Sequence, residues 1–313
     1  MQNVLRYARE AGLRSVLVHP DPRTRARRLA SEFHPLPWDD AHALLGLVRG
    51  LRGRAGQVGV LACEEGALAV LPALTEVLPN ALAPRATLER LARESAATNS
   101  RAARLDLFAF FRDGALVPGG PARRTRYENG DEQSSQPSGF SAERVSAAVH
   151  IVEDAARAAG LTRGFLQATL GETADGFVLE RIVPGVLDDL GATEVARLAY
   201  GRSPLQAWCA HLAGAGSPFD ELSLAPQHHA AWLRVTTRRT EAFAGLDGAA
   251  RARNLPGIQE LVIAEPGAAP RNGPARTLAH LVASGFDAAE LEERLRAARA
   301  LLVARFTPEP QAA

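Results

Sequence analysis

The first eighty residues alternate helix-length segments with short apolar runs, and this alternation restricts the opening of the chain to a parallel α/β layer. Residues 2–12 (QNVLRYAREAG) have a helical charge period that ends at Gly12, and the apolar run Ser15–His19 follows and closes on the turn Pro20-Asp21-Pro22. A second helix is predicted over 23–32, an extended piece at Phe33–Leu36 and a helix opened by Asp39 and Asp40. A buried strand at Val58–Ala62 then runs into a helix from Glu64 to Val77.

Beyond residue 83 the pattern changes to longer elements and hairpins, so two domains are expected, 1–83 and 84–313. A helix over Pro84–Arg104 leads to a strand Leu107–Phe111, an Asp113-Gly114 turn and a strand Ala115–Val117, a hairpin signature. Residues 118–139 (PGGPARRTRYENGDEQSSQPSG) combine breakers with few apolar side chains and are predicted to form a long loop. Its Arg123, Arg124, Arg126 and Tyr127 could fold over a ligand. Ser141 caps a helix that runs to Gly160, and a second hairpin joins Phe165–Leu170 to Phe177–Val183 through Gly171–Gly176. Helices over 188–200 and 203–213 follow. Strands are expected near 230–236, 258–264 and 277–283, and a last amphipathic helix from Asp287 to Arg305.

All 36 basic residues are arginine, which removes the lysine that a P-loop or a Schiff-base enzyme requires. The net charge of +1, with arginines spread along the chain, gives no electrostatic footprint for nucleic acid. Cys63 and Cys209 stand far apart and outside any CxxC spacing, which argues against zinc and against a disulfide framework. No apolar run approaches the ~18 residues of a membrane span, and the opening residues lack a signal-type apolar core. A soluble cytoplasmic protein is expected.

The segment Ala158–Trp208, AAGLTRGFLQATLGETADGFVLERIVPGVLDDLGATEVARLAYGRSPLQAW, resembles the C-terminal half of an ATP-grasp domain. Residues 39–77 resemble the α/β domain that precedes it, and 256–305 resemble the closing strands and helix, so the likeness covers about two thirds of the chain as pattern. It implies an α/β fold: a truncated, doubly wound pre-ATP-grasp layer that opens inside its first crossover helix, then an ATP-grasp-like α+β domain. It also implies carboxylate–amine ligation with ATP and Mg²⁺. By position, Gln167 corresponds to the first-strand oxygen ligand and Glu180 to the second-strand glutamate. The asparagine expected two residues later is Ile182, which cannot ligate a metal, and Arg181 is out of register with the family arginine. The β-rich subdomain that carries the phosphate-gripping lysines has no counterpart between the long helix and Leu107.

The resemblance therefore implies a degenerate member, expected to need no cofactor. Glu180, Arg181, Glu65 and His19 are its candidate catalytic residues, and Gln167 with Glu180 a vestigial metal pair. The loop arginines Arg123, Arg124 and Arg126 would hold ATP only if a minimal ATP- and Mg²⁺-dependent ligase were retained. In that case Glu180 would be expected to converge with Asp188, Asp189 or Gln167. The expected setting is specialised bacterial biosynthesis, with a small carboxylated or amino-acid-like substrate or an intact ligase as partner. A homodimer and a purely structural interaction module remain open. His19 closes the first strand, where an α/β sheet forms a crevice, and Arg23, Arg25, Arg27 and Arg28 beside it have forks suited to carboxylate or phosphate. Cys63-Glu64-Glu65 lies at a strand-to-helix turn, with a buried structural cysteine the simpler expectation. His228-His229 point opposite ways if extended, which argues against a shared metal.

Overall fold

A computed structural model describes residues 1–52, 58–75, 77–78, 85–87, 103–112, 115–161, 163–216, 219, 222, 225–266 and 276–307. The N-terminal layer opens with α1 (Gln2–Glu10), which buries Val4, Leu5 and Tyr7, and with β1 (Val16–Val18), paired in parallel to β2 (Glu32–His34). The helix expected over 23–32 is instead a short 3-10 turn, Arg25–Leu29. Pro20 and Pro22 keep the preceding residues extended, so only one tight turn forms before β2. Helix α2 (Ala41–Arg52) starts as expected, with the Asp40 carboxylate accepting the N–H of Ala43 at 2.9 Å. The predicted helix 64–77 splits into a 3-10 turn, Glu65–Val70, and the one-turn α3 (Leu71–Leu74), because Pro72 has no N–H to continue the ladder. The buried strand expected at 58–62 does not form: Ala62 alone of these residues is buried, and it makes an isolated parallel bridge to Gly185. Most of the helix expected from Pro84 lies outside the described residues, and its predicted end at Arg104 is already the first residue of β3.

The centre is an antiparallel eight-stranded sheet in the order β10-β11-β8-β5-β4-β3-β6-β7. Its strands are β3 (Arg104–Arg112), β4 (Ala115–Arg126), β5 (Glu132–Gln136), β6 (Arg163–Thr173), β7 (Gly176–Val183), β8 (His229–Thr237), β10 (Ile258–Ile263) and β11 (Arg276–Gly285). Alternation sends Leu105, Leu107, Ala109 and Phe111 to one face with Leu166, Ala168 and Leu170, against Ala148, Val152 and Ala156 of α4 (Ala142–Ala158). Further along this face, Leu233, Val235 and Leu281 meet Leu291, Leu295 and Ala298 of α8 (Ala288–Leu301). The opposite face packs Phe108, Phe110 and Phe165 under α1 and α6 (Pro204–Leu212). It also packs Trp232 and Val282 under Val195, Ala196 and Ala199, from the π-type turn Gly191–Val195 and α5 (Ala196–Tyr200).

Two sequence expectations are corrected here. Residues 118–139 are mostly strand: β4 runs to Arg126 and β5 occupies 132–136, joined by a tight turn in which Tyr127 N–H reaches Asp131 O at 2.9 Å and Gly130 takes φ +89°. Apolar content failed as a guide because β5 buries polar side chains: Glu132 pairs with Arg124 and Arg234, Gln133 bonds Tyr127 and Glu292, and Gln136 Nε2 donates to Gly191 O at 2.9 Å. The last helix ends at Leu301, and Val303–Thr307 forms β12, paired antiparallel with β9 (Ala242–Asp247) beside α7 (Ala249–Arg253).

Candidate functional site

The sheet face under α5 and α6 carries a row of charges that register alone aligns. Arg104 and Asp106 of β3, Arg124 of β4, Glu132 of β5, and Trp232 and Arg234 of β8 all point to it. Arg124 is the hub. Its Nε lies 2.6 Å from Asp106 Oδ2, in charge contact but off the hydrogen-bond axis; Nη1 donates to Glu132 Oε1 at 3.1 Å and Nη2 to Asp188 Oδ2 at 3.2 Å. Trp232 Nε1 donates to the same Asp188 oxygen at 3.0 Å and Gly191 N–H to the other at 2.9 Å, while Thr169 Oγ1 donates to Asp106 at 2.7 Å. Arg234 pairs with Glu132. Burial works against the Arg124 charge, but Asp106, Asp188 and Glu132 together outweigh it and raise its pKa. Burial pushes the Asp188 carboxyl up, Arg124 opposes this, and the charge on Asp106 adds to it. The hub is thus one guanidinium shared by three carboxylates.

The expected metal pair lies beside this hub and is engaged elsewhere. Glu180 Oε2 is 2.9 Å from Arg104 Nε, and its side chain lies over Gly171, the β6 partner of Arg104, where a Cβ would come within 2.5 Å of Glu180 Oε1. Gln167 is buried, with its carbonyl oxygen accepting the N–H groups of Leu187 at 2.9 Å and Asp188 at 3.2 Å. Ile182 is buried in the core. The carboxylates expected to converge with Glu180 have cation partners of their own: Glu180 pairs with Arg104, Asp188 with Arg124 and Asp189 with the N-terminal amine. Alternation sends Arg123 to the face opposite Arg124 and Arg126, and Arg126 stands at the exposed end of the strand. Arg123 lies over the Phe140 ring at 4.9 Å and 3.8 Å from Glu172, Arg124 points to the hub, and Arg126 is exposed. They do not form one phosphate-facing loop.

Sequence reasoning missed Arg104, Asp106, Glu132, Trp232 and Arg234. A signal existed for Asp106, a lone carboxylate inside the apolar run of β3, since a buried charge must be paired. The other four became legible only through cross-strand register.

A second cluster joins the N-terminal layer to the sheet edge. His19, 3% exposed, accepts the Asp21 N–H at Nδ1 (3.0 Å), so Nε2 carries the proton that it donates to Glu64 Oε1 at 3.1 Å. The Trp38 ring meets it edge-on at 5.4 Å. Glu65 pairs with Arg181 at 2.8 Å. His19 therefore meets Glu64, and Glu65 meets Arg181, while Glu180 belongs to the sheet face. Burial pushes the Cys63 thiol up to about 12, the behaviour of a structural cysteine. The His228 ring sits 5.8 Å from Phe286, and His229 opens β8. The Val186 N–H reaches Ala62 O at 2.8 Å, and a Cβ on Gly185 would approach that oxygen to 2.5 Å. Gly185→Ala is accordingly expected to lower stability by about 1–3 kcal/mol, read from the urea midpoint; an unchanged midpoint would mean that this junction contributes nothing.

Solved structures resemble the chain over nearly its whole length. An L-amino acid ligase from Bacillus licheniformis matches with a TM-score of 0.78 at 12% identity, covering 98% of this chain and 96% of that one. The fold is that of the ATP-grasp ligases. A phosphoribosylglycinamide synthetase from Anaerococcus prevotii matches at TM-score 0.76 and 9% identity, covering 98% and 97% of the two chains. An N5-carboxyaminoimidazole ribonucleotide synthetase from Thermotoga maritima matches at 0.70 and 13%, covering 98% and 97%. No protein-family model matches the chain, and no curated protein matches it in sequence. In the ATP-grasp frame, β6 and β7 are the hairpin that carries Gln167 and Glu180, and the Arg124 hub lies on the same face. Among the described residues no three His, Cys, Asp or Glu side chains are grouped to hold a metal ion, and no helix is long and apolar enough to cross a membrane.

Proposed function

We propose that this chain is an ATP-grasp-type protein that does not drive ligation with its own nucleotide, and that it works in bacterial biosynthesis on a small carboxylated or amino-acid-like ligand or beside an intact ligase. The observation that carries this reading is the state of the metal positions: Glu180 is neutralised by Arg104, and Gln167 is spent on two backbone N–H groups. A magnesium ion needs several oxygen donors facing one point. The residues present do not fit one, since Arg124 already supplies the positive charge among the carboxylates, and Ile182 offers no oxygen. The L-amino acid ligase among the structural neighbours supports an amino-acid-like ligand.

The test is calorimetric titration with ATP and Mg²⁺ of the native protein and of Glu180→Ala. The expected result is no saturable heat up to millimolar nucleotide in either. Magnesium-dependent binding that disappears in Glu180→Ala would overturn the reading and restore a minimal ligase.

A further inference from the structure

A cavity of about 690 Å³ opens between the 3-10 turn and the end of β10; among the described residues its wall includes Arg23, Arg25, Arg27 and Arg28, with Glu265 as the one acidic residue. We propose that this cavity binds a small molecule carrying two or more clustered negative charges, a phosphoryl group or a di- or tricarboxylate. The inference goes beyond the preceding reading and does not depend on it.

Three observations support it. First, the 3-10 turn repeats every three residues, so Arg25 and Arg28 stack on one side while Arg23 and Arg27 flank them. Second, the charges are unequally compensated. Arg25 pairs with Glu265 at 3.0 Å, and Arg27 lies over the Phe33 ring at 5.2 Å with a long contact to Pro22 O at 3.5 Å. Among the described residues, neither Arg23 nor Arg28 has a carboxylate within ion-pair distance. Four guanidiniums around one concave surface repel each other, and the field between low-dielectric walls attracts an anion. Their planar forks match the oxygens of phosphate or carboxylate.

Third, the segment that carries them is held in place from below. The buried His19 ring holds the Asp21 N–H through Nδ1 while Nε2 is anchored on Glu64. The Asp21 carboxylate in turn accepts the Arg23 N–H at 2.8 Å, and Thr24 N–H reaches Asp21 O at 3.2 Å. With Pro20 and Pro22 fixing φ on either side of Asp21, the arginine backbone is ordered before any ligand arrives, which lowers the entropy cost of binding. His19 is thus a positioning residue for the cavity. The volume lies within the range of small-molecule sites.

The test titrates the whole protein with inorganic phosphate, with citrate, and with sodium chloride at matched ionic strength, by calorimetry and thermal shift. It compares the native chain with the double variant Arg23→Gln/Arg28→Gln. Both side chains are exposed, so the variant is expected to fold, checked by circular dichroism. Saturable binding of phosphate or citrate, weakened at least roughly tenfold in the double variant, is the expected result. Phosphate alone would assign a phosphoryl ligand and citrate alone a polycarboxylate. A shift reproduced by sodium chloride, or binding unchanged in the double variant, would overturn the proposal. As a second arm, His19→Phe should weaken the anion while leaving its charge-dependent stoichiometry intact; unaltered affinity would remove the positioning role.

Discussion

Arg124→Met is expected to lower the unfolding free energy by about 3–5 kcal/mol, since removing one partner of a buried ionic cluster leaves the others uncompensated. Asp106 is 0% exposed and lies in charge contact with this guanidinium; Asp188 and Glu132 lean on it as well, and Glu132 also pairs with Arg234. Methionine fills the volume of the arginine stem, so the loss would report charge rather than a cavity. The neighbouring Arg126→Met, on the exposed end of β4, serves as control and should stay within about 0.5 kcal/mol of the native protein. Urea midpoints at pH 7 measure both. The sign of the pH dependence follows from linkage. Burial already raises the Asp188 carboxyl and Arg124 opposes it, so without Arg124 its folded pKa stands further above the unfolded one, and its penalty is present at neutral pH and relaxes as pH falls through the folded value. The deficit of Arg124→Met should therefore shrink toward pH 4. A deficit under about 1 kcal/mol that does not vary with pH would show that water, not Arg124, compensates the three carboxylates.

The second large effect concerns His280 on β11, which burial, Arg234 and the N-terminal amine hold down to about 4 from 6.5, with Glu132 pulling the other way. Among the described residues its buried Nδ1 has no hydrogen-bond partner, and its ring meets Trp232 edge-on at 6.0 Å. A histidine whose folded pKa is depressed binds its proton more readily in the unfolded chain. The native state therefore keeps its full stability above pH 6.5 and loses it progressively as pH falls toward 4. The loss from this side chain alone is up to about 3 kcal/mol. His280→Leu should flatten the stability profile between those pH values relative to the native protein. Parallel profiles for the two proteins would show that the imidazole is hydrated and titrates normally.

Much of the architecture was legible from local pattern. The β6–β7 hairpin, β8, β10 and β11, α4 capped by Ser141, and α1 ending near Gly12 follow from apolar alternation, a hydroxyl accepting the Arg144 N–H, and breaker residues. These signals are carried by neighbours in sequence, and the ATP-grasp resemblance of 158–208 rests on the same kind of information. The resemblance also located Gln167 and Glu180 on facing strands, as observed.

The errors share a physical origin. Residues 118–139 have few apolar side chains and so resembled a loop, yet they form strands near the middle of the sheet, where Arg124, Glu132 and Gln136 find partners on β3, β8 and the Gly191–Val195 turn. Val303–Thr307 continued the helical period of α8 but pairs with β9 instead. The sequence by itself determined the lysine-free composition, the hairpins and the helix caps. Only the tertiary structure decided that Glu180 would meet Arg104, that Arg124 would gather three carboxylates from distant segments, and that four arginines would share one cavity with Glu265. Backbone propensity and apolar periodicity act over a few residues. Electrostatic pairing in a sheet depends on which strands lie side by side, and that order is set by the packing of the whole chain.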